Sequence, residues 1–365
     1  MANKGEKTRL GILFGGRSAE HDISLVSAAS VIEALIDHEE FEIIAIGITR
    51  AGRPADENEL RAMLPDGLLK RVRSYATESL CGDKASLVSA ELLQPDIIFP
   101  LLHGTYGEDG TIQGLLEIAD IPYIGCGVPA SAVAMDKDIV KRLWDGEGLP
   151  VTPWITVRAR DVAAHAAVFR IAAEEAFGYP MFSKPANLGS SVGVRKIRNE
   201  AEFEDALRDS ARYDRKILIE KGIDAREIEC AILGNDEPAA SITGEVFPAG
   251  EFYDYEAKYV RKESRLEIPA NIDDEKSEEI RELAVRAFQA IDGAGLARVD
   301  FFLEKGTGKI WINEINTMPG FTPISMYSKL WAADGVPFPE LVRRLIRLGK
   351  ERFEEKGSRK TDREL

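Results

Sequence analysis

The sequence predicts an α/β protein of more than one domain, and three observations carry that expectation. Thr8–Phe14 and Phe41–Ile48 are apolar runs separated by a helical pattern from Ile23 to Ile36. Residues 96–102, DIIFPLL, form another apolar run that ends in a Gly-rich loop. Buried parallel strands alternating with helices give such runs, so the chain opens in a Rossmann-like manner. Much later, Ala297–Leu303 and Lys309–Asn316 alternate apolar and polar residues around a Glu-Lys-Gly-Thr-Gly turn. That pattern predicts a β-hairpin. At 365 residues the chain is long enough for two or three cores.

Composition narrows the class. Hydrophobic residues make up 44% and charged residues 30%, ordinary values for a globular protein. No apolar run approaches the ~20 residues needed to span a bilayer, and MANKGEKTRLGILF lacks a signal-peptide pattern. The formal charge of −15 argues against a nucleic-acid or anionic-membrane surface. Cys81, Cys126 and Cys230 are scattered, without disulfide or metal-ligand spacing, so a reduced cytoplasmic setting is expected. A site for an anion must therefore assemble its positive charge locally.

The first loop, Gly15-Gly16-Arg17-Ser18-Ala19-Glu20, lacks the G-x-G-x-x-G of a dinucleotide site. It places Glu20 near the carboxyl edge of the first strand, where ligands of open sheets collect; a helix N-terminus favours the same charge. Residues 51–95 are polar and uneven, and no element is placed there. Residues 96–102 deliver His103-Gly104-Thr105-Tyr106-Gly107-Glu108-Asp109-Gly110, with Asp109 placed to cap a helix near Thr111. A helix is expected over Ser131–Asp145, a linker over Gly146–Pro153 and a domain boundary near 135. Tyr179–Pro185 reads as a strand carrying Lys184, followed by Asn187-Leu188-Gly189-Ser190-Ser191-Val192-Gly193. Gly and Ser let backbone N–H groups converge on an anion, and they also make a mobile turn. Lys216–Glu220 is a strand, Glu227–Gly234 alternates in charge, and residues 248–269 form a long aromatic and charged loop suited to a lid. Glu275–Ala290 and Pro339–Phe353 read as helices, the latter with an apolar face at Leu341, Val342, Leu345 and Ile346.

Period-2 geometry puts Arg298 and Asp300 on one face of the hairpin, together with Glu314 and Asn316. If Leu303 pairs with Lys309, Arg298 lies opposite Glu314 and Asp300 is diagonal to it. Two carboxylates and a carboxamide offer hard oxygen ligands suited to Mg²⁺. The same letters also describe a hairpin with one solvated polar face.

DFF…NEIN-MPG-T resembles the metal-binding end of the ATP-grasp ligases, and NTMPGFTPIS resembles its D-alanine–D-alanine ligase version. GGRSAEHDIS, HG-x-x-GEDG, MDK, KPANLGSSVGV and YDYEAKY resemble successive parts of the same family, so the likeness runs from Gly15 to Leu330 apart from 51–95. Phe182-Ser183 before Lys184 departs from the aliphatic residue usual there and leaves the lysine in place. The resemblance implies a three-domain ATP-grasp fold: 1–135 Rossmann-like, 136–228 central with the phosphate lid, and 229–365 C-terminal with the metal site. It implies ATP, two Mg²⁺ (or Mn²⁺) and two D-alanine molecules, joined through an acyl phosphate for peptidoglycan synthesis. A D-Ala–D-Lac or D-Ala–D-Ser ligase, or a nucleotide-binding regulator, is the alternative. A homodimer is expected, without nucleic-acid or membrane partners.

It also implies roles. Glu20 receives the ammonium of the first D-alanine and His103 lies beside its carboxylate. Ser191 and Tyr259 join Glu20. Lys137, Lys184, Ser190 and Lys258 meet the phosphates. Glu220 and the backbone around Lys221 and Ile223 meet the adenine, and Glu227 the ribose. Asp300, Glu314 and Asn316 hold the metals. Arg298 and the backbone at Gly320 face the oxyanion of the tetrahedral intermediate, while Ser325 and the backbone at Met326 clamp the second carboxylate.

Overall fold

A computed structural model describes residues 7–74, 95–247 and 265–359. The first sheet contains β1 (Thr8–Gly15), β2 (Phe41–Ile48), β3 (Arg73–Ser74) and β4 (Ile97–Leu101), ordered β3-β2-β1-β4 and wholly parallel. The apolar runs alternate between two cores. Leu10, Ile12 and Phe14 pack with Val31 and Leu35 of α1 (His21–Leu35), whereas Leu13, Ile44 and Ile98 pack with Ile112 and Leu116. Strands covered on both faces read as continuous apolar runs, which is why these were legible.

Within 51–74, where no element was expected, α2 (Glu57–Met63) and α3 (Asp66–Leu69) precede β3. The Asp56 side chain accepts from Glu59 N, and Glu59 returns a bond to Asp56 N. This is a capping box, and its D-x-x-E signature stands in the sequence. After β4 comes α4 (Thr111–Ile118), whose N-cap position is Gly110 and not Asp109; Asp109, one residue earlier, accepts from Thr111 N at 3.0 Å.

The helix expected over Ser131–Asp145 is two helices, α5 (Val128–Met135) and α6 (Lys137–Gly146). Asp136 breaks it. Its backbone is extended, and its side chain accepts from Asp138 N and Ile139 N, which caps α6. A short aspartate that hydrogen-bonds local backbone competes with helix continuation.

The central sheet orders β5 (Trp154–Arg158), β8 (Lys216–Lys221), β6 (Met181–Pro185) and β7 (Arg195–Ile197), all antiparallel. The helices α7 (Ala159–Ala176) and α8 (Glu200–Ser210) pack on one face through Val162, Ala173, Phe203 and Leu207. Ser183, at the departure before Lys184, is buried and bonds Ala206 O and Ser210 Oγ on α8.

The third sheet orders β11 (Arg265–Glu267), β10 (Ala239–Phe247), β9 (Ala225–Gly234), β12 (Gly295–Glu304) and β13 (Ile310–Asn316). The expected division at 228/229 therefore cuts through β9. One face packs on α9 (Asp274–Ala290) through Ile280, Ala284 and Phe288. Next, α10 (Met326–Ala333) follows the Met318–Ser325 loop. The last helix, α11 (Phe338–Gly357), sends Leu341 and Leu345 into the core that also holds Leu10, Phe99, Leu296 and Phe321. The first and third sheets thus share one core, which fixes the loop at 318–325 beside the carboxyl ends of β1 and β4.

The hairpin forms, with a different register. Leu303 pairs with Ile310, Phe301 with Ile312, and then Asp300 with Glu314 and Arg298 with Asn316. Asn313 is the extra residue of a β-bulge. Ile310 and Ile312 lie in the core, so an unbroken strand would carry Glu314 into that core as well. The bulge reverses the alternation, buries Ile315 and turns Glu314 and Asn316 to the opposite face.

Candidate active site

A cavity of about 460 Å³ opens where the three sheets meet. It is lined by Glu20, His103, Lys137, Ser190, Arg298, Glu314, Asn316, Gly320, Ser325 and Met326 among the sequence-predicted residues. Glu20 stands at the N-cap position of α1 without capping it. Its carboxylate instead accepts from Ser190 Oγ at 2.6 Å, the serine expected at the phosphates, whereas Ser191 was the one expected to join Glu20. Ser190 and Ser191 both have positive φ (52° and 56°), a tight left-handed turn that presents Ser190 to the first loop. Gly104, at φ 72°, would place a Cβ 2.6 Å from Glu20 Oε2. A side chain there would collide with the carboxylate.

Arg298 is the electrostatic centre. Its Nε and a terminal nitrogen each donate to Asp300 at 2.7 Å, and Nε lies 2.9 Å from Glu229. Those carboxylates hold the guanidinium pKa well above its ordinary value despite the burial that opposes it. Asn316 Nδ2 donates to Asp300 at 3.0 Å, and Lys137 Nζ lies 3.4 Å from Glu314 and donates to Leu188 O at 2.8 Å.

Glu108 lines the same cavity, with Gly104 N donating to it at 2.7 Å. Burial, then the negative charge of Glu20, push its pKa up to about 8. The carboxylates of Glu20, Glu229, Asp300 and Glu314 outnumber the cations Lys137 and Arg298. His103 adds no charge, since burial lowers its pKa. A face with surplus carboxylates beside a carboxamide fits divalent cations, whose charge would balance it.

Lys184, Glu220, Lys221, Ile223 and Glu227, expected at the nucleotide, do not line this cavity. Glu220, at the end of β8, is buried between Lys184 Nζ at 2.5 Å and Lys141 Nζ at 3.2 Å. Burial alone would raise a carboxyl pKa, yet the two lysines hold this one below its usual value. Lys141 is itself fully buried, and Trp154 lies 5.8 Å away beneath its ammonium. Lys221 donates its N–H to Pro153 O at 3.0 Å, Ile223 follows in the loop, and Glu227 sits on β9 opposite Phe302. Ser325 stands at the N-cap position of α10, and its hydroxyl pairs with Thr322 Oγ1 at 2.8 Å. Lys258 and Tyr259 lie outside the described residues.

Residues 9–126 match the family profile described as D-ala D-ala ligase N-terminus, and residues 143–347 match D-ala D-ala ligase C-terminus. The chain belongs to the D-alanine–D-alanine ligase family. It is 46% identical to the D-alanine–D-alanine ligase of Acetivibrio thermocellus, over 96% of this chain and 97% of that one. To the Heliobacterium modesticaldum ligase it is 48% identical, over 98% of each. Among solved structures, the D-alanine–D-alanine ligase of Coxiella burnetii superposes with a TM-score of 0.79 at 35% identity, covering 97% of both chains. The VanG D-Ala:D-Ser ligase of Enterococcus faecalis also gives 0.79, at 33% identity, over 94% of this chain and all of that one.

The sequence analysis singled out none of four polar residues that bond with or lie beside the predicted ones. Glu108 stands inside the quoted HG-x-x-GEDG loop. Lys141 follows Lys137 by four positions, so the two share a face of α6. Glu229 pairs with Asp300 across β9 and β12. Ser27, buried on α1, carried no signal beyond its place in a helix.

Proposed function

We propose that this protein joins two D-alanines into D-alanyl-D-alanine at the cost of ATP, supplying a peptidoglycan precursor. One observation carries the reading. A single cavity gathers Glu20, Ser190, Lys137, Arg298, Glu314, Asn316 and the Gly320–Ser325 loop from three separate sheets. A carboxylate does not react with an amine at neutral pH until it carries a leaving group. The γ-phosphoryl of ATP passes to the first D-alanine's carboxylate oxygen, ADP leaves, and an acyl phosphate remains. The second amine loses a proton and attacks the carbonyl carbon; the C–N bond forms and phosphate leaves with its C–O bond broken.

Each residue serves one part of that sequence. Glu20 faces the first ammonium, with Ser190 and Ser191 closing over it. Lys137 and Lys184 offset phosphate charge, and Glu220 holds Lys184 in reach of the nucleotide. Glu227 and the strand end at Lys221 and Ile223 border the nucleoside. Arg298 and the Gly320 amide face the oxyanion. The Ser325 hydroxyl and the N-terminus of α10 suit the second carboxylate. Asp300, Glu314 and Asn316 would hold Mg²⁺ or Mn²⁺, which would offset phosphate charge during transfer. Excluding water from the closed site would protect the acyl phosphate.

A cytoplasmic, homodimeric enzyme completes the reading; among the described residues no helix is long and apolar enough to cross a membrane. ADP release in the presence of D-alanine, with the product weighed by mass spectrometry, tests it. ADP release that requires no D-amino acid would reject it.

A further inference from the structure

Ser27 lies fully buried on α1, with its hydroxyl between two groups from distant parts of the chain. His103 Nε2 is 2.9 Å from Ser27 Oγ, and Phe321 N points at the same oxygen from 3.4 Å. The other ring nitrogen, His103 Nδ1, is 3.0 Å from Met318 O. A carbonyl only accepts, so Nδ1 carries the proton. Nε2 then accepts, Ser27 donates to it, and a Ser27 lone pair faces the Phe321 N–H. Burial depresses the His103 pKa, in keeping with this neutral ring. Both ring nitrogens are engaged within the protein, and Ser18 Oγ donates to the His103 carbonyl at 2.7 Å.

The two anchors bracket Pro319-Gly320: one holds the Met318 carbonyl before that pair, the other the Phe321 amide after it. We propose that Ser27 is a positioning residue for the ligation step, which with His103 sets the orientation of the Gly320 peptide toward the reacting carbon. This rests on the role given to Gly320 above. The side chain of Phe321 needs no such help, since it packs against Phe99, Tyr327 and Phe338 with ring centroids 5.2–5.9 Å apart. The loop therefore stays docked without Ser27. What the hydroxyl adds is the angle of the peptide, and an oxyanion donor depends on that angle.

Ser27→Ala tests this, with Ser27→Cys, which keeps a weak donor and acceptor, as the graded variant. Two readouts are taken: hydrogen–deuterium exchange at the Phe321 amide in the free protein, and steady-state dipeptide formation. In Ser27→Ala the amide exchanges faster and kcat falls about tenfold, less than the ~10²–10³ of removing a donor outright. KM for ATP stays unchanged, and Ser27→Cys falls between the two. Unchanged exchange would overturn the anchor. Faster exchange with unchanged kcat would overturn the positioning role, as would a fall in kcat matched by a lower Tm and a raised KM for ATP. A wild-type protein that made no dipeptide would overturn the reading of the reaction and the positioning role with it, while the exchange result would still report the anchor.

Discussion

Asp300 lies directly opposite Glu314 across the β12–β13 hairpin, because the bulge at Asn313 turns Glu314 out of the core. Directly opposed side chains are closer than the diagonal pair that pairing Leu303 with Lys309 would give. The two carboxylates can then act on the same cations.

Glu314→Gln keeps the shape and removes the charge. At ordinary Mg²⁺ this variant should lose ligation while its thermal unfolding stays close to wild type, because a carboxamide cannot bridge two cations as an anion. Coupled ADP release and a melting curve check both halves; near-normal turnover would remove the metal face from the account.

Arg298 meets charge in the transition state on this reading. Arg298→Ala should lower kcat by roughly 10²–10³, the size of losing one oxyanion donor. KM for the first D-alanine should change little. Initial rates over a D-alanine range separate the two, and a loss confined to KM would make Arg298 a substrate ligand. Some stability should go as well, since Asp300 and Glu229 would keep buried charge without their cation.

Glu108 ties stability to pH. Its folded pKa is raised from 4.5 to about 8, so across that window the folded protein binds a proton that the unfolded chain releases. The stabilisation is full below the unfolded value and is lost as pH rises through about 8. In metal-free protein without substrate, Tm should therefore decline with rising pH across this window, and Glu108→Gln should flatten the decline. Parallel melting curves for the two proteins would disprove the shift.

β1, β2 and β4 were legible because burial on both faces wrote them as apolar runs, and the hairpin because apolar and polar residues alternate over Ala297–Phe301. The register was not, because a bulge is one residue of backbone geometry that hydrophobic alternation does not encode until the partner strand is seen. Asp136 was read as helix interior because its cap bonds become evident only in three dimensions. The site letters Glu20, Lys137, Arg298 and Asn316 stood out by their motifs. Lys141 and Ser27 did not, since a buried lysine and a buried serine acquire meaning from Glu220 and His103, partners far away in sequence. Tyr259 and most of the loop expected over residues 248–269 lie outside the described residues.

The most direct measurement supplies ATP, Mg²⁺ and equal amounts of D-alanine, D-serine and D-lactate at neutral pH, then weighs the products. The account predicts D-alanyl-D-alanine as the dominant product, with one ADP released for each dipeptide. ADP release without a condensed product, or a dominant D-Ala–D-Ser or D-Ala–D-Lac product, would contradict it.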